Sequence, residues 1–206
     1  MDAAKLNPKL DVPADALKIL AELSQEINAS LNLDEVLPSA AALIKRLVDY
    51  EIFAVLLPEE GTDQMYFRFA IGHRAEVVDH WRIPVGEGII GAAASTGQAI
   101  RVADVRADPR YLNALDAVRS ELAVPLIVRG RVIGVLDIES SELDYFTPYQ
   151  QSILTLVASR IGTAIENSSV FCVATKQLWL CLYMKEYGRG SVVNVFPKCN
   201  TVADKC

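Results

Sequence analysis

"SELAVPLIVRGRVIGVLDIES", Ser120 to Ser140, decides how the rest of the chain is read. Two runs rich in Val, Ile and Leu flank Arg129-Gly130-Arg131, and a turn glycine between two such runs is a hairpin signal. The strands are expected at Leu122–Val128 and Val132–Ile138. Pro125 has no amide hydrogen to give a ladder, so it belongs at an edge or a bulge.

Upstream of the hairpin, short elements alternate. Ile52 to Leu57 is mostly apolar, Pro58 to Asp63 supplies turn residues, and Gln64 to Ala70 alternates, which reads as strand, turn, strand. "RAEVVDHW" (Arg74–Trp81) is a short helix candidate. "GIIGAAASTGQ" (Gly88–Gln98) reads as a short buried helix that Gly97 closes in the left-handed conformation. "AIRVADV" is a further strand, and "RADPRYLNALDAV" a loop.

Long helices are expected at both ends. Leu17, Leu20, Leu23, Ile27 and Leu31 share one helix face behind a cap at Asp15. Val36, Ala40, Leu43, Ile44 and Leu47 share a second, capped by Asp34, with Pro38 in or near the first turn. Thr147-Pro148-Tyr149-Gln150 is a capping box that opens a third, with Ile153, Leu154, Val157, Ile161, Ala164 and Ile165 on its face. This order predicts an α+β fold: an antiparallel sheet with long helices gathered on one side.

The chain has 206 residues, enough for one domain plus an appendage. A formal charge of -6 and a pI near 5.0 oppose electrostatic capture of nucleic acid or of an anionic membrane. No basic start followed by an apolar run opens the chain, and Val170 to Met184 is broken by Lys176 and Gln177. The expectation is a cytoplasmic protein. Cys172, Cys181, Cys199 and Cys206 are the only cysteines, at spacings that fit no zinc pattern. Residues 1–13 read as a flexible lead-in, 14–168 as the domain, and 169–206 as an aberrant Cys-rich tail, not an output domain, whose origin as native, frameshifted or vector-derived stays open.

Four segments in this order resemble the GAF domain, a small-ligand-sensing module of bacterial signalling proteins. They are "LNLDEVLPSAAALIKRLVD", "IPVGEGIIGAAASTGQAIRVADV", the hairpin, and "FTPYQQSILTLVASRIGTAIENS". The resemblance implies a central antiparallel sheet of about six strands. The long terminal helices would lie on one face. Short helices and loops, Ile83 to Tyr111, would cover a pocket on the other. It also implies a homodimer through the first and last helices, and an output domain (kinase, cyclase or serine phosphatase) to receive the signal. The last helix offers two stripes for this, Leu154, Ala158 and Ile161 against Val157 and Ala164.

Candidate pocket residues are Trp81, Gly86, Gly91, Asp104, Asp108, Arg110, Tyr111, Ser120 and Glu121. Gly86, Gly88 and Gly91 spell G-x-G-x-x-G, but no strand convincingly precedes them and no Lys follows. They are expected to allow a turn and close helix packing, with backbone amides at the helix start able to meet an anionic group. Arg110 is suited to pair with a ligand carboxylate or phosphate at two points. His73 and His80 read as ordinary surface residues, and no metal is expected.

No residue set points to catalysis. There is no G-x-S-x-G elbow, and the pattern lacks the Cys-His pair of bilin-binding members and the Asn-Lys…Asp-Glu set of cyclic-nucleotide ones. The redox cysteines of free methionine sulfoxide reductase, an enzyme built on this fold, have no counterpart before residue 172. The expectation is a non-enzymatic sensory module that binds an unidentified small molecule. A ligand-free dimerisation scaffold and a reductase-like enzyme stand behind it as alternatives.

Overall fold

The hairpin lies inside a larger sheet. In the computed structural model, which describes residues 17–19, 21–22, 24–25, 30–112 and 117–187 (172–187 by backbone alone), it is formed by β5 (Ser120–Val128) and β6 (Arg131–Ser140). Val128 pairs with Arg131, so the loop is two residues long, and both Arg129 (φ 49°) and Gly130 (φ 77°) are left-handed. That is a type I′ pattern, whose twist matches that of the flanking strands. Pro125 sits two residues past the last pair that β5 makes with β4 (Ile100–Val102), and one residue before the register shift at Leu126/Ile127.

The remaining described elements, in chain order, are α1 (Leu33–Lys45), β1 (Ile52–Pro58), β2 (Gln64–Ile71), α2 (Ala75–His80), β3 (Arg82–Pro84), α3 (Gly88–Thr96), a 3-10 turn (Val105–Ala107) and α4 (Pro148–Tyr187). The six strands form one antiparallel sheet in the order β3-β2-β1-β6-β5-β4. β6 and β1 are therefore central, and helices cover both of their faces.

One face packs against α1 and α4. Phe53, Val55 and Leu57 of β1, Leu122, Val124 and Leu126 of β5, and Leu136 and Ile138 of β6 meet Leu37, Ala40 and Ile44 of α1 and Ile153, Leu154, Val157 and Ile161 of α4. Burial of the larger of these side chains contributes roughly 1.5–3 kcal/mol each before entropy is counted. The capping box at the start of α4 is formed: the Thr147 amide donates to Gln150 Oε1 (2.7 Å), and the Gln150 amide donates to Thr147 Oγ1 (3.2 Å).

Several expectations are corrected. The α1 cap is Asn32, whose side chain accepts from the Asp34 amide at 3.0 Å, because Asp34 itself is drawn to Arg68 at 2.7 Å. Pro38 falls in the second turn of α1. Both stripes of α4 are buried within this one chain, so neither is left to face a second subunit. The backbone of α4 runs as one helix from Pro148 to Tyr187, which does not by itself mark where the domain ends. Asp15, Leu20, Leu23 and Ile27 of the first expected helix lie outside the described residues. Of its other positions Leu17 and Leu31 are exposed, whereas Ile19 is buried. Among the described residues no helix is long and apolar enough to cross a membrane.

Candidate functional site

The second face of the sheet holds the unusual chemistry. Period-two alternation sends Leu136 and Ile138 toward α1 and α4, so Val135, Asp137 and Glu139 point the other way. The register sets Glu121 opposite Glu139 and Ala123 opposite Asp137, with Ile52 and Ala54 of β1 on the far side. Three carboxyls thus meet under α3 and the β3 region, at 2% (Glu121), 0% (Asp137) and 4% (Glu139) exposure.

Their environment disfavours charge. Burial pushes all three well above the ordinary carboxylate range, and each is raised further by a carboxylate neighbour. The Asp137 carboxyl is within hydrogen-bonding reach of both Glu121 and Glu139. Apart from the Ile138 backbone amide, which draws the Asp137 carboxyl down, no donor among the described residues is in hydrogen-bonding geometry with the Asp137 oxygens or Oε2 of Glu139. Acceptors facing acceptors need a proton or another cation between them.

His73 joins this floor from the loop after β2. Its ring lies edge-on to Phe67, with centroids 5.1 Å apart, and burial lowers its pKa, which favours the neutral ring. Among the described residues neither ring nitrogen has a hydrogen-bond partner. Above the floor is a recess of about 360 Å³, its mouth included, walled by Phe67, Trp81, Ile83, Ile89, Ile90, Tyr111 and Leu112, with His73, Gly88, Glu121 and Glu139 completing it.

Glycines put α3 against this recess. Gly86 (φ 95°) and Gly88 (φ 67°) take left-handed turns, and a Cβ on Gly91 would collide with the Pro84 carbonyl oxygen. The tight turn is fastened by the Gly86 amide on the Gly91 carbonyl at 2.8 Å. The first turn of α3 is thereby presented to the cavity with no side-chain cap. Its amides lie outside the intrahelical ladder and carry the positive end of the helix dipole.

Of the nine residues singled out from sequence, Trp81, Tyr111 and Glu121 line the recess. Gly86 and Gly91 shape the turn but do not line it. Asp104 faces Arg119 at 3.2 Å and accepts from the Arg106 amide. Asp108 and Arg110 hold one another at two points, 2.9 and 2.6 Å, so the guanidinium is committed locally. Ser120 points to the opposite face from Glu121 and donates to the Glu142 carbonyl at 2.7 Å. His80 is exposed in α2, and His73 is half-buried in the preceding loop, so its reading as a surface residue is corrected.

Asp137, Glu139 and His73 were not foreseen. The available signal was a pair of acids at alternate positions of an apolar strand, in phase with Glu121 and Ala123 across the hairpin.

One curled antiparallel sheet, with α1 and α4 on one face and α3 over an acid-floored cavity on the other, defines the class of α+β module. The GAF domain family profile matches residues 32–165, and the chain belongs to that family. It is 31% identical over 144 residues to the free methionine-R-sulfoxide reductase of Escherichia coli, a match covering 67% of this chain and 84% of that one. The solved free methionine-R-sulfoxide reductase from Neisseria meningitidis, in complex with its substrate, superposes with a TM-score of 0.68 at 27% identity, over 75% of this chain and 90% of that one. The nitrogen fixation protein VnfA of Azotobacter vinelandii is 27% identical over 164 residues, which is 74% of this chain and 31% of VnfA. The expectation of a non-enzymatic chain is overturned here, because two of these relatives are enzymes that share most of the chain's length.

Proposed function

We propose that the recess binds a free amino acid of the methionine sulfoxide class, held at both ends of its zwitterion. The ammonium would sit on Glu121 and Glu139, with Asp137 beneath them. The carboxylate would meet the open amides at the start of α3. The side chain would lie against Trp81, Phe67 and Tyr111. The observation that carries this reading is the buried three-carboxyl floor opposite an uncapped helix start. The reductases similar to this chain act, by name, on free methionine-R-sulfoxide.

Reduction of a sulfoxide consumes two electrons and two protons and releases water. The thiols of this chain are Cys172, Cys181, Cys199 and Cys206, whose side chains lie outside the described residues. Binding and turnover are therefore measured separately. Calorimetry with methionine-R-sulfoxide is expected to show one site, and the N-acetylated compound, which has no ammonium, is expected to lose about 1.5–3 kcal/mol, about 10- to 150-fold. Equal affinity for the two would refute ammonium capture. Turnover is followed with dithiothreitol as reductant in the same preparation.

A regulatory reading is favoured by α4, which runs as one helix of 40 residues from the sheet face to Tyr187. In VnfA and in phosphodiesterase 11A of Takifugu rubripes the matched region is 31% and 18% of the whole protein, so there the domain accompanies other parts. On this reading ligand occupancy shifts the domain between two states, and α4 carries the difference to an output domain or a second copy. Hydrogen exchange along α4 tests it: protection that does not change on ligand addition disposes of the relay.

A further inference from the structure

The floor of the recess carries a nitrogen donor that ammonium capture does not require. A ring nitrogen of His73 and carboxylate oxygens of Asp137 and Glu139 all lie within 4.8 Å of one another. Adjacent ligands of one ion, each at about 2.1 Å, stand about 3.0–3.4 Å apart. The three donors would have to draw together by about 1–2 Å to share one centre.

This is more than a patch of acids. Asp137 is wholly buried, and among the described residues no side chain donates to its oxygens and neither His73 nitrogen has a hydrogen-bond partner. Three elements place the set: β6 supplies the carboxylates at positions 137 and 139, Glu121 of β5 stands beside them, and the loop after β2 brings the imidazole. His73 and Glu139 line the recess, and Asp137 lies beneath them, so an ion held there would be reached from the recess side.

We propose that His73, Asp137 and Glu139 form a binding site for one divalent transition-metal ion, of the Mn²⁺, Fe²⁺ or Zn²⁺ class. One imidazole with two carboxylates is a mixed nitrogen and oxygen set, which suits these ions better than an all-oxygen cage suits them. Two carboxylates balance the two charges of the ion, and the buried acceptors gain the partner they lack. The site needs no amino acid to be bound, so it stands or falls separately from the reading above.

The test is titration of the full chain, stripped with EDTA and exchanged into metal-free buffer, with Mn²⁺ followed by the electron paramagnetic resonance of the free ion. Mn²⁺ is chosen because it prefers oxygen, so thiols at 172–206 compete poorly. The expected result is one ion per chain with a Kd below about 1 mM. His73→Ala and Asp137→Asn should each weaken it by about tenfold or more. His73 occupies a half-buried loop position and Asp→Asn is isosteric, and circular dichroism verifies that each variant is folded. A wild-type Kd above about 1 mM, or an affinity that either folded variant leaves intact, overturns the site. Methionine sulfoxide binding measured in EDTA reports on the amino-acid reading alone, so the two failures are distinguishable.

Discussion

Asp137→Asn is the sharpest perturbation of the acid floor. The carboxyl it replaces is fully buried, and its two oxygens face Glu121 and Glu139 with no donor among the described side chains other than a proton the acids themselves retain. Asn keeps the shape and turns one oxygen into an NH₂ that can donate to a neighbouring carboxylate. A hydrogen bond to a charged group contributes about 1.5–3 kcal/mol, and a buried unsatisfied acceptor costs about 1–3 kcal/mol. The variant is therefore expected to be more stable than wild type at pH 8, by about 2 kcal/mol, or about 4–8 °C in Tm for a chain of this size. The sign depends on pH. A buried acid with a raised pKa keeps its proton in the folded state after the unfolded chain has released it, so stability falls as pH rises above the ordinary carboxylate range. Below about pH 4 the wild-type acid is protonated in both states and can itself donate, and the difference between variant and wild type should shrink toward zero. Urea unfolding of both proteins in EDTA at pH 4, 6 and 8 measures this. Asp104 and Asp108, held below the usual range chiefly by Arg119 and Arg110, push the opposite way but cancel in the difference. A variant less stable than wild type at pH 8, or a gain that does not change with pH, would refute the reasoning.

Three further outcomes follow from the geometry. Gly91→Ala drives a methyl into the Pro84 carbonyl, so it should cost about 1–3 kcal/mol in urea unfolding and displace the start of α3; an unchanged midpoint would contradict the close packing. Ser120→Ala removes the donor to the Glu142 carbonyl on the face away from the recess. It should cost about 1–2 kcal/mol of stability and leave methionine sulfoxide affinity unchanged by calorimetry. Arg110→Ala breaks an ion pair whose arginine is about half exposed, so stability should change by less than about 1 kcal/mol. Loss of ligand affinity in that variant would show that the guanidinium leaves Asp108 when the recess fills.

The fold was legible because its signals are local. The type I′ turn at Arg129-Gly130, the Thr147/Gln150 capping box and the left-handed Gly97 that ends α3 each depend on residues within a few positions of one another. Where two local solutions compete, sequence alone chooses poorly: Asn32 and Asp34 can both cap α1, and only the distant Arg68 decides between them. The same holds for Arg110, suited by type to a ligand anion but taken by Asp108 two residues away.

The site was half legible for a more general reason. Alternating acids in a strand ordinarily mark a wetted face, which is how Asp137 and Glu139 escape notice. They become core residues because β6 lies between β1 and β5 with helices over both faces, and that is a fact of topology. Placing Glu121 and Glu139 in register, and His73 against them from a loop some sixty residues upstream, needs the completed sheet. Carboxylates in a central strand, in phase with buried neighbours across a hairpin, cannot be solvated once that sheet closes. Burying three of them, with no basic side chain among the described residues hydrogen-bonded to Asp137, is a standing cost to the fold, which the proposed binding of a positively charged guest would offset.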